Sequence, residues 1–66
     1  MTADELTAIR ERLGLGPVAM SRALGVAYTT YRDWQSGKAR IHPSAARLAE
    51  LMLELPAARV AVLAGR

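Results

Sequence analysis

Apolar residues along this chain recur at helical spacing, in bursts separated by glycine or proline, and nowhere alternate as a strand would. Leu6, Ile9 and Leu13 fall on one stripe, with Arg10, Glu11 and Arg12 turned outward. The same segment opens on "TADE", which places Thr2 as N-cap and Glu5 as its capping-box partner. Gly14 is a natural C-cap. Pro17 then stands where a first helical residue needs no N–H. A second, short helix runs from there to about Leu24, with Met20 and Leu24 facing inward, until Gly25 stops it.

The third helix begins near Ala27 or Tyr28 and ends at Gly37, and it holds all the tyrosine and tryptophan of the chain. On a helical wheel, Tyr31 and Trp34 fall together with Thr30 beside them, while Tyr28, Thr29, Arg32, Asp33 and Ser36 spread over the opposite arc. Two aromatics therefore anchor this helix to a small core and leave a polar face free. A fourth helix starts at Pro43 or Ser44 and reaches about Leu55, with the stripe Ala45, Leu48, Leu51 or Met52, and Leu55. A second strip, Ala46, Ala49 and Leu53, makes its apolar arc broader than one partner helix needs. Pro56 opens a last short helix that Gly65 closes. The pattern predicts an all-α fold of five helices.

Composition narrows the function classes. Sixty-six residues make one domain with a marginal core. There is no cysteine, and His42 is the only histidine, so no metal is expected. Ser21 and Ser36 lack a histidine base and an acid in a usable arrangement, and the carboxylates lie on outward faces; no enzyme and no cofactor is expected. No apolar run is long enough to span a membrane, and "MTADELTAIRERL" does not read as a signal peptide, so the expected compartment is the cytoplasm. Net charge is +3, and its distribution says more than the sum. Arg22, Arg32, Lys38, Arg40 and Arg47 face only Asp33 in the middle segment, whereas both flanks are balanced or acidic. A polyanion partner at the third helix follows, with a solvated basic face as the plainer alternative.

Two short helices joined by a glycine turn, the second with a free polar face, read as a helix-turn-helix over about residues 17–36. Ser21 is small where the helices approach, and Gly25 can take positive φ in the turn. The segments "IRERLGL", "MSRALGVAYTTYRDWQSGKARIHPS" and "ARLAELMLEL" together resemble the Cro and phage-repressor-like helix-turn-helix family, also called XRE-type. The likeness runs from roughly Leu6 to Leu55. It implies a five-helix, lambda-repressor-like DNA-binding domain acting as a dimeric transcriptional regulator. By the same resemblance Ala27 precedes the recognition helix, Tyr28, Thr29, Arg32 and Asp33 match positions that face bases or nearby phosphates, and Lys38 and Arg40 match the loop that follows the backbone. One departure is Pro17-Val18, where the family often has glutamine and an acidic residue; proline offers no phosphate-binding side chain, so that contact is either lost or made by backbone or by Arg22. More loosely, the small size and opening residues resemble the short repressors encoded beside anti-CRISPR genes in phages and mobile elements.

Each residue carries a functional and a plain reading. Arg32 can bond guanine O6 and N7, or touch a phosphate. Thr29 can meet a thymine methyl or a base edge, or merely be surface polarity. Asp33 can accept from cytosine N4, or orient Arg32 or another basic group while repelling phosphate from that spot. Tyr28 can reach a phosphate or pack half-buried. Lys38 and Arg40 are expected to position the duplex without reading it. His42 is expected to serve the N-terminus of the fourth helix. The apolar strip Ala46, Ala49, Leu53, Val60 and Leu63 predicts a homodimer through the fourth and fifth helices. The chain is thus expected to be a double-stranded DNA-binding repressor acting on an inverted repeat in the promoter of its own operon, with no small-molecule ligand. The alternative is an antitoxin or adaptor that uses the fourth- and fifth-helix surface to bind another protein.

Overall fold

Each helix starts and stops for a local reason. A computed structural model describes residues 1–65 as α1 (Ala3–Leu13), α2 (Pro17–Leu24), α3 (Tyr28–Ser36), α4 (Pro43–Met52) and α5 (Ala57–Gly65), with no strand among the described residues. The capping box of α1 is complete: the Glu5 N–H donates to Thr2 Oγ1 at 3.1 Å, and the Thr2 N–H donates to Glu5 Oε1 at 2.7 Å. That geometry holds the Glu5 carboxyl below its ordinary pKa, the Thr2 backbone hydrogen bond contributing most. At the other end of α2, Gly25 sits at φ 73° and donates to the Arg22 carbonyl, and the Val26 N–H donates to the Ser21 carbonyl. These two bonds close the helix as a Schellman motif and turn the chain toward α3.

The core is built around α2, which packs against α5, α3 and α4, while α1 bears on α3 and α4. Trp34, Tyr31, Leu6, Met20 and Met52 are its largest fully buried side chains. Tyr31 and Trp34 therefore fill the anchoring role their spacing predicts. Truncating Trp34 to alanine would cost on the order of 3–5 kcal/mol, a large part of the stability of any domain this small.

Four expectations are corrected by the packing. Ala49 and Val60 are not available to a partner: they are 0% and 4% exposed, because α4 turns Ala49 inward beside Met52 and α5 lies against α2. The fifth helix is thus a layer of the monomer's own core. Helix α4 ends at Met52 rather than Leu55. The N–H groups of Leu53, Glu54 and Leu55 donate three residues back, to Glu50, Leu51 and Met52, a tightening that brings the chain to Pro56. Arg10 is not turned fully outward; it is half-buried and its Nη1 donates to the Leu15 carbonyl at 2.8 Å, tying α1 to the following turn. His42 occupies the N-cap position of α4 without capping it through its side chain. Its ring instead meets Trp34 edge-on, centroids 5.9 Å apart.

Candidate nucleic-acid interface

Helix α3 is held from behind and left open in front. Behind it, Tyr31 and Trp34 are buried, and Gln35 reaches back to α1: Thr7 Oγ1 donates to Gln35 Oε1, and Gln35 Nε2 donates to the Ala3 carbonyl at 3.3 Å. Burial pushes the Tyr31 phenol above its ordinary pKa, with the Arg10 guanidinium working against the rise. In front, Thr29 and Arg32 are exposed and Tyr28 is 44% exposed. These three stand at i, i+1 and i+4, so Arg32 lies one helical turn, roughly 6 Å, along the axis from Tyr28. Gln35 was not foreseen as a fixing residue. Its place at the edge of the buried arc, next to Trp34 and four residues after Tyr31, was the available signal.

Within the chain Asp33 does not act as the expected orienting group for Arg32. Its side chain is half-buried and forms no ion pair or hydrogen bond among the described residues. Its carbonyl is what matters: it accepts the Lys38 N–H at 2.9 Å and the Ala39 N–H at 3.1 Å. With Ile41 buried in the core, the loop carrying Lys38 and Arg40 is pinned at both ends while both cations project into solvent. Arg22, in the last turn of α2, and Arg47, on α4, are exposed as well.

The helix starts add a second feature. The N-terminus of α1 is capped by a side chain and carries Asp4 and Glu5 in its first turn. Those of α2, α3 and α4 have no side-chain cap and no acidic residue in the first turn. Their free N–H groups and the positive ends of their dipoles remain available to solvent or to an anion. The start of α2 lies at Pro17, so whatever anion-binding it has comes from backbone.

The residues expected to form one dimer strip separate into three places. Ala46 and Leu53 line an open groove of 470 Å³ between α1 and α4, shared with Ala8, Ile9, Glu5 and Glu50. Ala49 and Val60 belong to the core. Leu63 stands with Val62 on the outer side of α5, in a second open groove of 330 Å³ that Leu55, Pro56 and Arg59 complete. Among the described residues no helix is long and apolar enough to cross a membrane. Comparison with protein families, characterised proteins and solved structures finds no match to this chain.

Proposed function

We propose that this protein is a sequence-specific double-stranded DNA-binding repressor whose helix-turn-helix is α2, the Gly25 turn and α3. The observation that carries the reading is the division of α3: Tyr31 and Trp34 buried, Tyr28, Thr29 and Arg32 outward, and a pinned loop with Lys38 and Arg40 directly after it. A helix anchored in this way offers a rigid polar ridge suited to a major groove about 12 Å wide. Arg32 reads guanine, Thr29 meets a neighbouring base edge, and Tyr28 reaches the sugar-phosphate backbone. Lys38, Arg40, Arg22 and the uncapped starts of α2, α3 and α4 hold phosphates. Asp33 serves by keeping the cationic loop in place through its carbonyl.

The repressor acts as a homodimer on an inverted repeat. One protomer measures 32 × 20 × 18 Å. Two side by side can set their α3 helices about one duplex turn apart, about 34 Å. Repression is by occlusion of promoter DNA, and by the resemblance to small phage and anti-CRISPR-associated regulators the promoter is that of its own operon. A reporter driven by that promoter tests the proposal: wild type lowers expression, and Arg32→Ala relieves it at equal protein level. Unchanged expression with wild type would instead favour an antitoxin or adaptor, for which the exposed Leu51, Val62 and Leu63 offer a surface.

A further inference from the structure

Tyr31, Trp34 and Gln35 hold α3 to the rest of the protein in different ways. The two aromatics are buried by apolar contact, which is non-directional and resists separation more than it resists rolling or sliding. Gln35 is half-buried, and both polar atoms of its amide are engaged with α1: Oε1 accepts from the Thr7 hydroxyl, and Nε2 donates to the Ala3 carbonyl at 3.3 Å. Among the described residues these are the only side-chain hydrogen bonds between α3 and another helix. Ala3 and Thr7 are four residues apart, so the carbonyl and the hydroxyl stand one turn apart on the same face of α1. A side chain that meets both needs a donor and an acceptor together, which an amide has and an ionised carboxylate or an ammonium lacks. One bond would let α3 pivot, whereas two fix its roll and its distance from α1. The Gly25 turn sets the start of α3, and this clamp sets its last turn. Arg32 lies between them, about 4.5 Å along the axis from Gln35.

We infer that Gln35 is a positioning residue that determines specificity without touching DNA: it locks the roll of α3 so that Arg32 and Thr29 meet base edges in register. The inference deepens the proposed DNA reading and rests on it. A bidentate arginine contact needs the guanidinium aligned with one base edge, and that alignment is lost when the helix beneath it rolls. Phosphate contacts by Lys38, Arg40 and the helix starts are carried mainly by charge and contain no sequence information, so they tolerate the same movement. Loss of the clamp therefore lowers affinity for the preferred duplex and leaves affinity for other duplexes nearly as it was. It also differs from loss of Arg32, which removes the preference at one base pair: a rolling α3 blurs the positions read by Arg32 and Thr29 together.

The test compares wild type, Gln35→Met, Thr7→Val and the double variant on the duplex that wild type selects and on a scrambled duplex, at one salt concentration. Methionine keeps the length and apolar stem of Gln35 and makes neither bond, and valine keeps the shape of Thr7 without its hydroxyl. Gln35→Met should weaken binding to the selected duplex by about fivefold or more, the least that one misplaced bidentate pair costs, and leave the scrambled duplex within about twofold. The double variant should be no worse than Gln35→Met, because both changes remove the same contact. Should Gln35→Met melt too low to assay, Thr7→Val, which removes one bond only, carries the same comparison. Equal losses on both duplexes mean that Gln35 only stabilises the fold, and an unchanged preference means that α3 holds its roll without the clamp; either overturns the inference while the DNA reading stands. A wild type that prefers no duplex overturns the DNA reading and the inference with it.

Discussion

Replacing Gly25 by alanine isolates the turn that sets α3 against α2. The residue lies at φ 73° and ψ 28°, and a Cβ built there meets no atom within 4 Å. No packing cost arises, therefore, and both closing hydrogen bonds come from backbone N–H groups that alanine retains. What remains is the left-handed conformation itself, about 1–2 kcal/mol for an L-residue, offset by about 0.4–1 kcal/mol from the lower unfolded-state entropy of alanine. The expected net loss is about 1 kcal/mol, a fall in Tm of roughly 4–8 °C for a domain of this size. Urea or thermal unfolding followed by the fluorescence of Trp34, the single tryptophan and fully buried, reads this directly. Gly25→Asn should lose less, since asparagine tolerates the left-handed region better. A loss above about 3 kcal/mol would mean that the turn is crowded, contrary to the open space found around it. A clear gain in stability would mean that the turn does not hold positive φ.

Three further outcomes are expected, the first two from the proposed DNA-binding reading and the third from the cap of α1. Arg32→Ala leaves stability almost unchanged, because the side chain is exposed and forms no ion pair within the described chain, and it costs about 1–3 kcal/mol at one base pair per half-site; equal weakening on every sequence would make it a phosphate contact. Lys38→Ala or Arg40→Ala weakens binding to all sequences alike and flattens the salt dependence of a dimer, expected near a log–log slope of about −5 to −9, by about two units; an altered sequence preference would show that the loop reads bases. The third outcome concerns acid. The folded pKa of Glu5 is depressed below its ordinary 4.5, so the contribution of its cap to α1 is present above that value and fades as pH falls through the folded pKa. Glu5→Gln should remove that part of the acid sensitivity of unfolding, and an unchanged acid profile would show that the capping carboxylate is not coupled to folding.

Much of the fold was legible because it rests on local chemistry. The capping box at Thr2 and Glu5, the proline starts at Pro17 and Pro43, and the glycine stops at Gly14, Gly25 and Gly37 act within a few residues. The burial of Tyr31 and Trp34 follows from helical periodicity alone. What periodicity does not determine is which neighbour a broad apolar arc meets. Ala49 and Val60 carry the same signal as Ala46 and Leu63, yet packing of α4 on α1 and α2 takes Ala49 into the core and contact between α2 and α5 takes Val60 there. Small and medium apolar residues on an outer-looking strip are ambiguous until the layers are known. Polar side chains were harder still. Gln35, Arg10 and the Asp33 carbonyl do their fixing through partners far along the chain or through backbone, and residue type does not announce either. For the face of α3, the sequence and the packing agree on which residues look outward, apart from the half-buried Asp33.

Selection of binding sites from a pool of random duplexes, with the purified 66-residue chain at near-physiological salt, tests most directly whether α3 reads DNA. The proposed reading predicts enrichment of an inverted repeat whose half-site centres lie about 34 Å apart along the duplex. Each half-site should contain a guanine whose enrichment disappears with Arg32→Ala and persists with Lys38→Ala. A pool that stays random through successive rounds, while the protein is folded by its Trp34 emission, would contradict sequence-specific recognition.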